Sequence, residues 1–263
     1  MAYTEEYLMA TISVVLATFN EEKNLPDCLR SVQDLADEIV IVDGTSSDNT
    51  VAIAKQFYAN TLVTQNHQVF HINKQKAIDM ATKDWVLQLD ADERVTPESA
   101  AEIKQLIDSN PEENGFWIPR KNWFLGRFLM KGGQYPDYTL RLYRRGKGHL
   151  PQKDVHEQAV VTGKVGYLRY PLEHMSDPEF KRYLLRFGRY TDLMATQLHE
   201  KHLGRNPLTG IQYILLLPVW WFLLTYIRHK GFMDGWQGFL FSFFSALRFP
   251  VSYSKLIKKY KSI

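Results

Sequence analysis

The stretch WVLQLDADE, residues 85–93, runs five residues of strand character into three acids within four positions. Like charges at a strand end repel one another and resist burial, so Asp90, Asp92 and Glu93 call for a counter-ion or for water. One reading makes them the start of a solvated turn. The other makes Asp90 and Asp92 hard oxygen ligands, two residues apart, for a divalent cation. In either case Glu93 is expected to be a solvated neighbour. Which reading holds depends on where the strand sits.

The flanking sequence places it. TISVVLATFN (11–20) is a β-branched run ending in Thr18-Phe19-Asn20-Glu21, and residues 21–35 put Leu25, Cys28, Leu29, Val32 and Leu35 at helical spacing. DEIVIVDGTSSDNT (37–50) is a second apolar strand, ending at Asp43-Gly44, with a Ser/Thr/Asp loop suited to capping the next helix. A short strand in NTLVTQN (60–66), a helix in INKQKAIDMATK (72–83), the 84–95 strand and a helix over 96–110 with Thr96 at its N-cap and Pro97 in its first turn follow. Alternating helices and near-continuous apolar strands predict an α/β fold, with a mostly parallel sheet covered on both faces. Ligands bind such sheets outside the carboxyl ends of the strands, so three acid-bearing tips should share one edge. Between 115 and 175 shorter aromatic and basic strands predict a mixed extension of the sheet. A long helix is expected over 177–204, capped by Asp177.

The chain has 263 residues, 45% hydrophobic and 23% charged, with one cysteine, Cys28, so neither a disulfide framework nor a cysteine metal site is expected. Glu5 and Glu6 stand where a signal peptide would carry basic residues, so no export signal is read and a cytoplasmic catalytic part is expected. Beyond residue 200, nine Lys or Arg face the single acid Asp234; that tail is net +8, and since the chain totals +3 the first 200 residues are net −5. The tail is also the most apolar part. LTGIQYILLLPVWWFLLTYI (208–227) and FMDGWQGFLFSFFSALRFPVSY (232–253) approach bilayer-spanning length, but Pro218 interrupts the first and Asp234, Gln237 and Arg248 the second. A hairpin of two spans would export the basic RHKG, against the positive-inside tendency, so helices lying in the membrane interface are expected. A hydrophobic homo-oligomer interface is the competing reading, and nucleic acid is not expected as a partner.

Together, SVVLATFNEEKNLPDCLRSV, DEIVIVDGTSSDNT, KQKAIDMATKDWVLQLDADE and RLYRR…VHE resemble a family 2 glycosyltransferase of the GT-A fold over residues 11 to about 195. The likeness is to bacterial enzymes resembling the lipopolysaccharide-core β-glucosyltransferases. It implies a catalytic domain over 1–204, with a nucleotide-binding half (11–110) and an acceptor half (111–204), and a membrane-associating tail over 205–263. It implies that Thr18, Phe19, Asn20, Glu21, Asp43 and Gly44 hold the nucleoside, with Asp90 on ribose or metal. Lys74 and Lys76 would offset diphosphate charge; here the family's Lys-Gln-Lys-Asn is Lys74-Gln75-Lys76-Ala77, a departure. Gly132 and Gly133 would form a loop over the donor sugar. On strand alternation Arg141 and Arg145 share a face that could meet phosphate, with a plain basic edge strand as the alternative. Asp90, Asp92 and His174 would bind Mg²⁺ or Mn²⁺, unless His174 is merely structural. An inverting transfer needs a base for the acceptor hydroxyl: Glu157 is favoured, with His156 orienting or replacing it and Asp154 the alternative. The implied reaction moves a hexose from a nucleoside-diphosphate sugar, a UDP-sugar foremost, to a lipid-linked glycan at the cytoplasmic face of the bacterial inner membrane, the protein being peripheral or monotopic there. A polyprenyl-phosphate acceptor and a non-catalytic membrane-bound scaffold are the alternatives; the scaffold predicts damaged acids, yet Asp43, Asp90, Asp92 and Glu157 are intact.

Overall fold

The computed structural model describes residues 9–67, 71–151 and 158–261. By packing the chain divides into two units, Met1–Arg120 with Asp137–His174, and Lys121–Pro136 with Met175–Ile263.

The sheet is built on β1 (Ile12–Thr18), buried along its whole length. β2 (Glu38–Asp43), β3 (Asn60–Val63) and β4 (Trp85–Leu89) lie parallel beside it, with β1 central. Three further strands are short: β5 (Glu93–Val95), β7 (Arg127–Leu129) and β11 (Val165–Tyr167). β6 (Gly115–Phe124), β8 (Asp137–Arg144) and β12 (Leu172–Asp177) complete the order β3-β2-β1-β4-β8-β6-β12-β5, in which β8 runs antiparallel to both β4 and β6. The last two strands, β9 (Gly148–His149) and β10 (Val160–Val161), form a separate antiparallel pair.

Alternation decides the layers. Val14 and Leu16 on β1 pack with Leu25, Cys28, Leu29 and Val32 of α1 (Leu25–Val32) and with Ile103 and Ile107 of α4 (Pro97–Asp108). Val15, Val40 and Val42 point to the other face, against Ala77 and Ile78 of α3 (His71–Met80). Between them in sequence is the short α2 (Thr50–Gln56). Thr96 caps α4 as expected, its Oγ1 accepting from Ser99 N–H at 3.2 Å. The register sets Thr18 beside Asp43 and Leu16 beside Leu89, so the carboxyl ends of β1, β2 and β4 share one edge.

In the second unit α5 (Phe180–Glu200) starts three residues later than expected. Asp177 is not its cap: it ends β12, buried, and pairs with Arg186 one helical stretch further on. A carboxylate buried by its strand can reach a guanidinium but not the helix's first N–H groups. Pro218 does not interrupt the apolar segment, which runs helically over Pro207–Arg228. Wider π-helical turns at Gln212–Leu216 and Leu223–Arg228 flank it, and such turns absorb the missing proline N–H. The C-terminal helix Gly235–Lys261 likewise continues through Pro250.

Candidate active site

At the second tip, Asp43 is fully buried and accepts from Thr18 Oγ1 (2.8 Å), Ser46 N–H (2.7 Å) and Ser46 Oγ (2.6 Å). Gly44 N–H donates to the Thr18 carbonyl at 2.8 Å, and a Cβ on Gly44 would lie 3.1 Å from Asn66. Asn20 adopts a left-handed φ of 55°, which asparagine tolerates, and its Oδ1 accepts from Ser47 N–H at 2.8 Å. Phe19 and Asn20 are exposed, and Glu21 accepts from Asn24 Nδ2 at 2.8 Å. The loop after β2 is thus tied to the loop after β1, a rigid pair of tips presenting Phe19 and Asn20 to solvent.

At the third tip the acids part. Glu93 is not solvated. It opens β5 with no exposure at all, accepting from Arg120 Nη1 (3.0 Å), Arg141 Nη2 (2.8 Å) and the Asp90 N–H (2.9 Å). A fully buried carboxylate requires such cations. Arg141 also donates to Asp90 Oδ2 and to Gln88 Oε1, both at 2.6 Å, and Lys74 pairs with Asp90 Oδ1. Burial works to raise the Asp90 pKa, but Arg141 and Lys74 outweigh it and hold the carboxyl well below the usual range. Burial likewise opposes charge on Arg141, and Asp90 and Glu93 more than offset that. Lys74, Gln88, Asp90, Arg120 and Arg141 line a polar cavity of about 210 Å³, together with His71 and Thr139.

Asp92, half-buried, leans the other way. Because β5 pairs antiparallel with β12, with His174 opposite Glu93, His174 Nε2 comes to 3.6 Å from Asp92 Oδ1. Carboxylate and imidazole side by side, each about one-sixth exposed, fit a Mg²⁺ or Mn²⁺ ion that keeps other coordination positions for substrate oxygens. Asp90 does not complete that pair, being committed to Lys74 and Arg141; no group of three potential ligands occurs among the described residues.

The remaining expected residues fall in several places. Lys76 Nζ lies 3.4 Å from Thr64 Oγ1 and from His67 Nε2. Arg141 and Arg145 do not share a surface: Arg141 is buried, whereas Arg145, past the end of β8, is exposed and donates to the Lys83 carbonyl at 3.0 Å. Gly132 and Gly133 belong to the second unit, with φ of 66° and 77°, and Gly132 N–H donates to the His229 carbonyl. Asp154, His156 and Glu157 lie outside the described residues. Sequence reasoning missed Arg120, Gln88 and His71. Arg120 left one signal, a cation in the strand GFWIPRKNWF, where burial demands an acid.

The chain belongs to glycosyl transferase family 2, whose model matches residues 13–173. It is a glycosyltransferase, and its sheet is that of the α/β GT-A fold. Among curated relatives it is similar to the lipopolysaccharide core biosynthesis glycosyltransferase LpsC of Rhizobium meliloti, 28% identical over 90% of this chain and 91% of that one. It is also similar to an uncharacterized glycosyltransferase of Rickettsia felis, 26% identical over 95% of this chain and 92% of the relative. Among solved structures, S. aureus TarS 1–349 in complex with UDP superposes with a TM-score of 0.47 at 17% identity, covering 86% of this chain and 75% of that one.

Proposed function

We propose that this glycosyltransferase moves a hexose from a nucleoside-diphosphate sugar, foremost a UDP-sugar, to a saccharide carried on a lipid such as lipopolysaccharide core, inverting the anomeric carbon. The observation carrying the reading is the single edge that holds the β1, β2 and β4 tips, with Asp43 at the end of β2 and, just past β4, Asp90 paired with Lys74 and Asp92 beside His174. The two rigid tips hold the nucleoside, with Asn20 and Glu21 accepting from base and ribose donors and Phe19 giving a stacking face. Asp43 acts by fixing the loop. Asp92 and His174 hold the divalent cation, with Asp90, Arg141 and Lys74 forming the charged wall beside it. When bound, that ion supplies Lewis-acid stabilisation of the departing diphosphate.

The acceptor oxygen attacks the anomeric carbon as its bond to the diphosphate breaks. Its proton passes to Glu157, with His156 and Asp154 the other candidates. A lipid-borne acceptor is supported by the name of the Rhizobium relative and by the exposed apolar segment Pro207–Arg228, which is long and apolar enough to cross a membrane. In this reading the protein lies on the cytoplasmic face of the inner membrane.

The test is release of nucleoside diphosphate from a panel of UDP-, GDP- and ADP-sugars with lipid-linked saccharide present. Chelation should abolish release and Mg²⁺ or Mn²⁺ restore it. Asp92→Asn should lose about 100-fold or more, since several kcal/mol of Lewis-acid stabilisation is at stake. Full turnover by Asp92→Asn would remove the cation from this site.

A further inference from the structure

The second unit contains a larger cavity, about 360 Å³. Its walls come from α5, the C-terminal helix and Gln134: Tyr183, Phe187, Phe241 and Phe244 line it, and Tyr183 and Phe187 each pack edge-on against Phe244. Two guanidinium groups, Arg186 and Arg248, share this aromatic wall. Arg186 has its acid, Asp177. Arg248 has none among the described residues. Its guanidinium rests on the Trp221 ring at 4.3 Å and on Phe249 at 4.9 Å, and its Nε is buried with no hydrogen-bond acceptor.

An arginine held by rings, with a donor unsatisfied, leaves a charge needing an anion. Guanidinium forks match phosphate oxygens, and aromatic walls match hydrocarbon. The surroundings favour a lipid as the source of both. Trp221, on which Arg248 rests, belongs to the exposed apolar segment Pro207–Arg228, and Phe239 and Phe243 of the C-terminal helix are exposed as well. We propose that this cavity is a binding site for a phosphate-bearing amphiphile, its phosphate on Arg248 and its hydrocarbon chain against Phe187, Phe241 and Phe244. The proposal does not depend on the donor and acceptor assigned above.

Calorimetric titration of the full-length protein with decyl phosphate below its micelle concentration tests this, with decyl maltoside and inorganic phosphate as the other arms. Decyl phosphate should bind saturably, about tenfold or more tighter than either. Arg248→Gln should bring it down to the decyl maltoside level, and Phe187→Trp, which fills the cavity, should weaken it comparably. Equal affinity for decyl phosphate and decyl maltoside overturns the phosphate contact, and equal affinity for inorganic phosphate overturns the lipid. Unchanged decyl phosphate binding in Arg248→Gln overturns the site. Should that variant fail to fold by circular dichroism, Phe187→Trp decides alone, and its unchanged binding overturns the site too.

Discussion

Glu93 anchors two arginines, Arg120 and Arg141, inside the sheet, and Arg141 in turn holds Asp90. Removing one member of a buried ion network leaves its partners charged and uncompensated, at about 3–5 kcal/mol. Glu93→Gln should therefore lower unfolding stability by about that amount, measured by urea denaturation; a change within about 0.5 kcal/mol would show that the network is not stabilising. Asp90 adds a pH dependence. Its folded pKa lies below the unfolded value of about 3.9, so its contribution is fully present above that pH and is lost as pH falls through the folded value. Unfolding free energy should decline as pH drops below about 4, and Asp90→Asn should flatten that decline. The three acids looked alike as letters; their roles diverge because β4 ends at Leu89 and β5 begins at Glu93, turning one carboxylate inward, one toward Lys74 and one toward His174.

Elements carried the clearest sequence signal where hydrophobic period and burial agree. α1 and α4 are such cases, each with its apolar positions packed in one cluster, and β1, buried throughout, divides its residues between the clusters on its two faces. The start of α5 was misread because Asp-Pro looks like a cap and first turn, while Asp177 answers to Arg186 instead. Pro218 was misread as a break because sequence does not reveal whether neighbouring turns can widen to absorb it. The resulting helical segment is unpartnered along one side, with Leu215 58% and Trp220 55% exposed. If that side lies against lipid, the double substitution Leu215→Glu and Trp220→Glu should greatly reduce co-sedimentation with vesicles. Unchanged sedimentation would assign the apolar surface to another partner, such as a second copy of the chain.

At the scale of the whole molecule, charge is unevenly spread, with +8 beyond residue 200 against −5 before it. A basic, apolar tail is attracted to an anionic surface by forces that salt screens within about 10 Å at 0.1 M. Sedimentation with anionic vesicles should fall as NaCl rises from about 0.05 to about 0.5 M, while the weaker association with neutral vesicles changes little; salt-independent binding to both would leave no electrostatic part. The α/β class, the parallel order of the first strands, the three acid-bearing tips and the membership of the glycosyltransferase family were legible in sequence, because strand burial and helical spacing are local patterns that survive in one dimension. The partners of the acids were not. Arg120 and Arg141 sit 27 and 48 residues from Glu93, and His174 is farther still from Asp92; only the pairing of β4 with β8, β8 with β6 and β5 with β12 brings them together. A charged side chain records that it must be neutralised, and strand register determines by which residue.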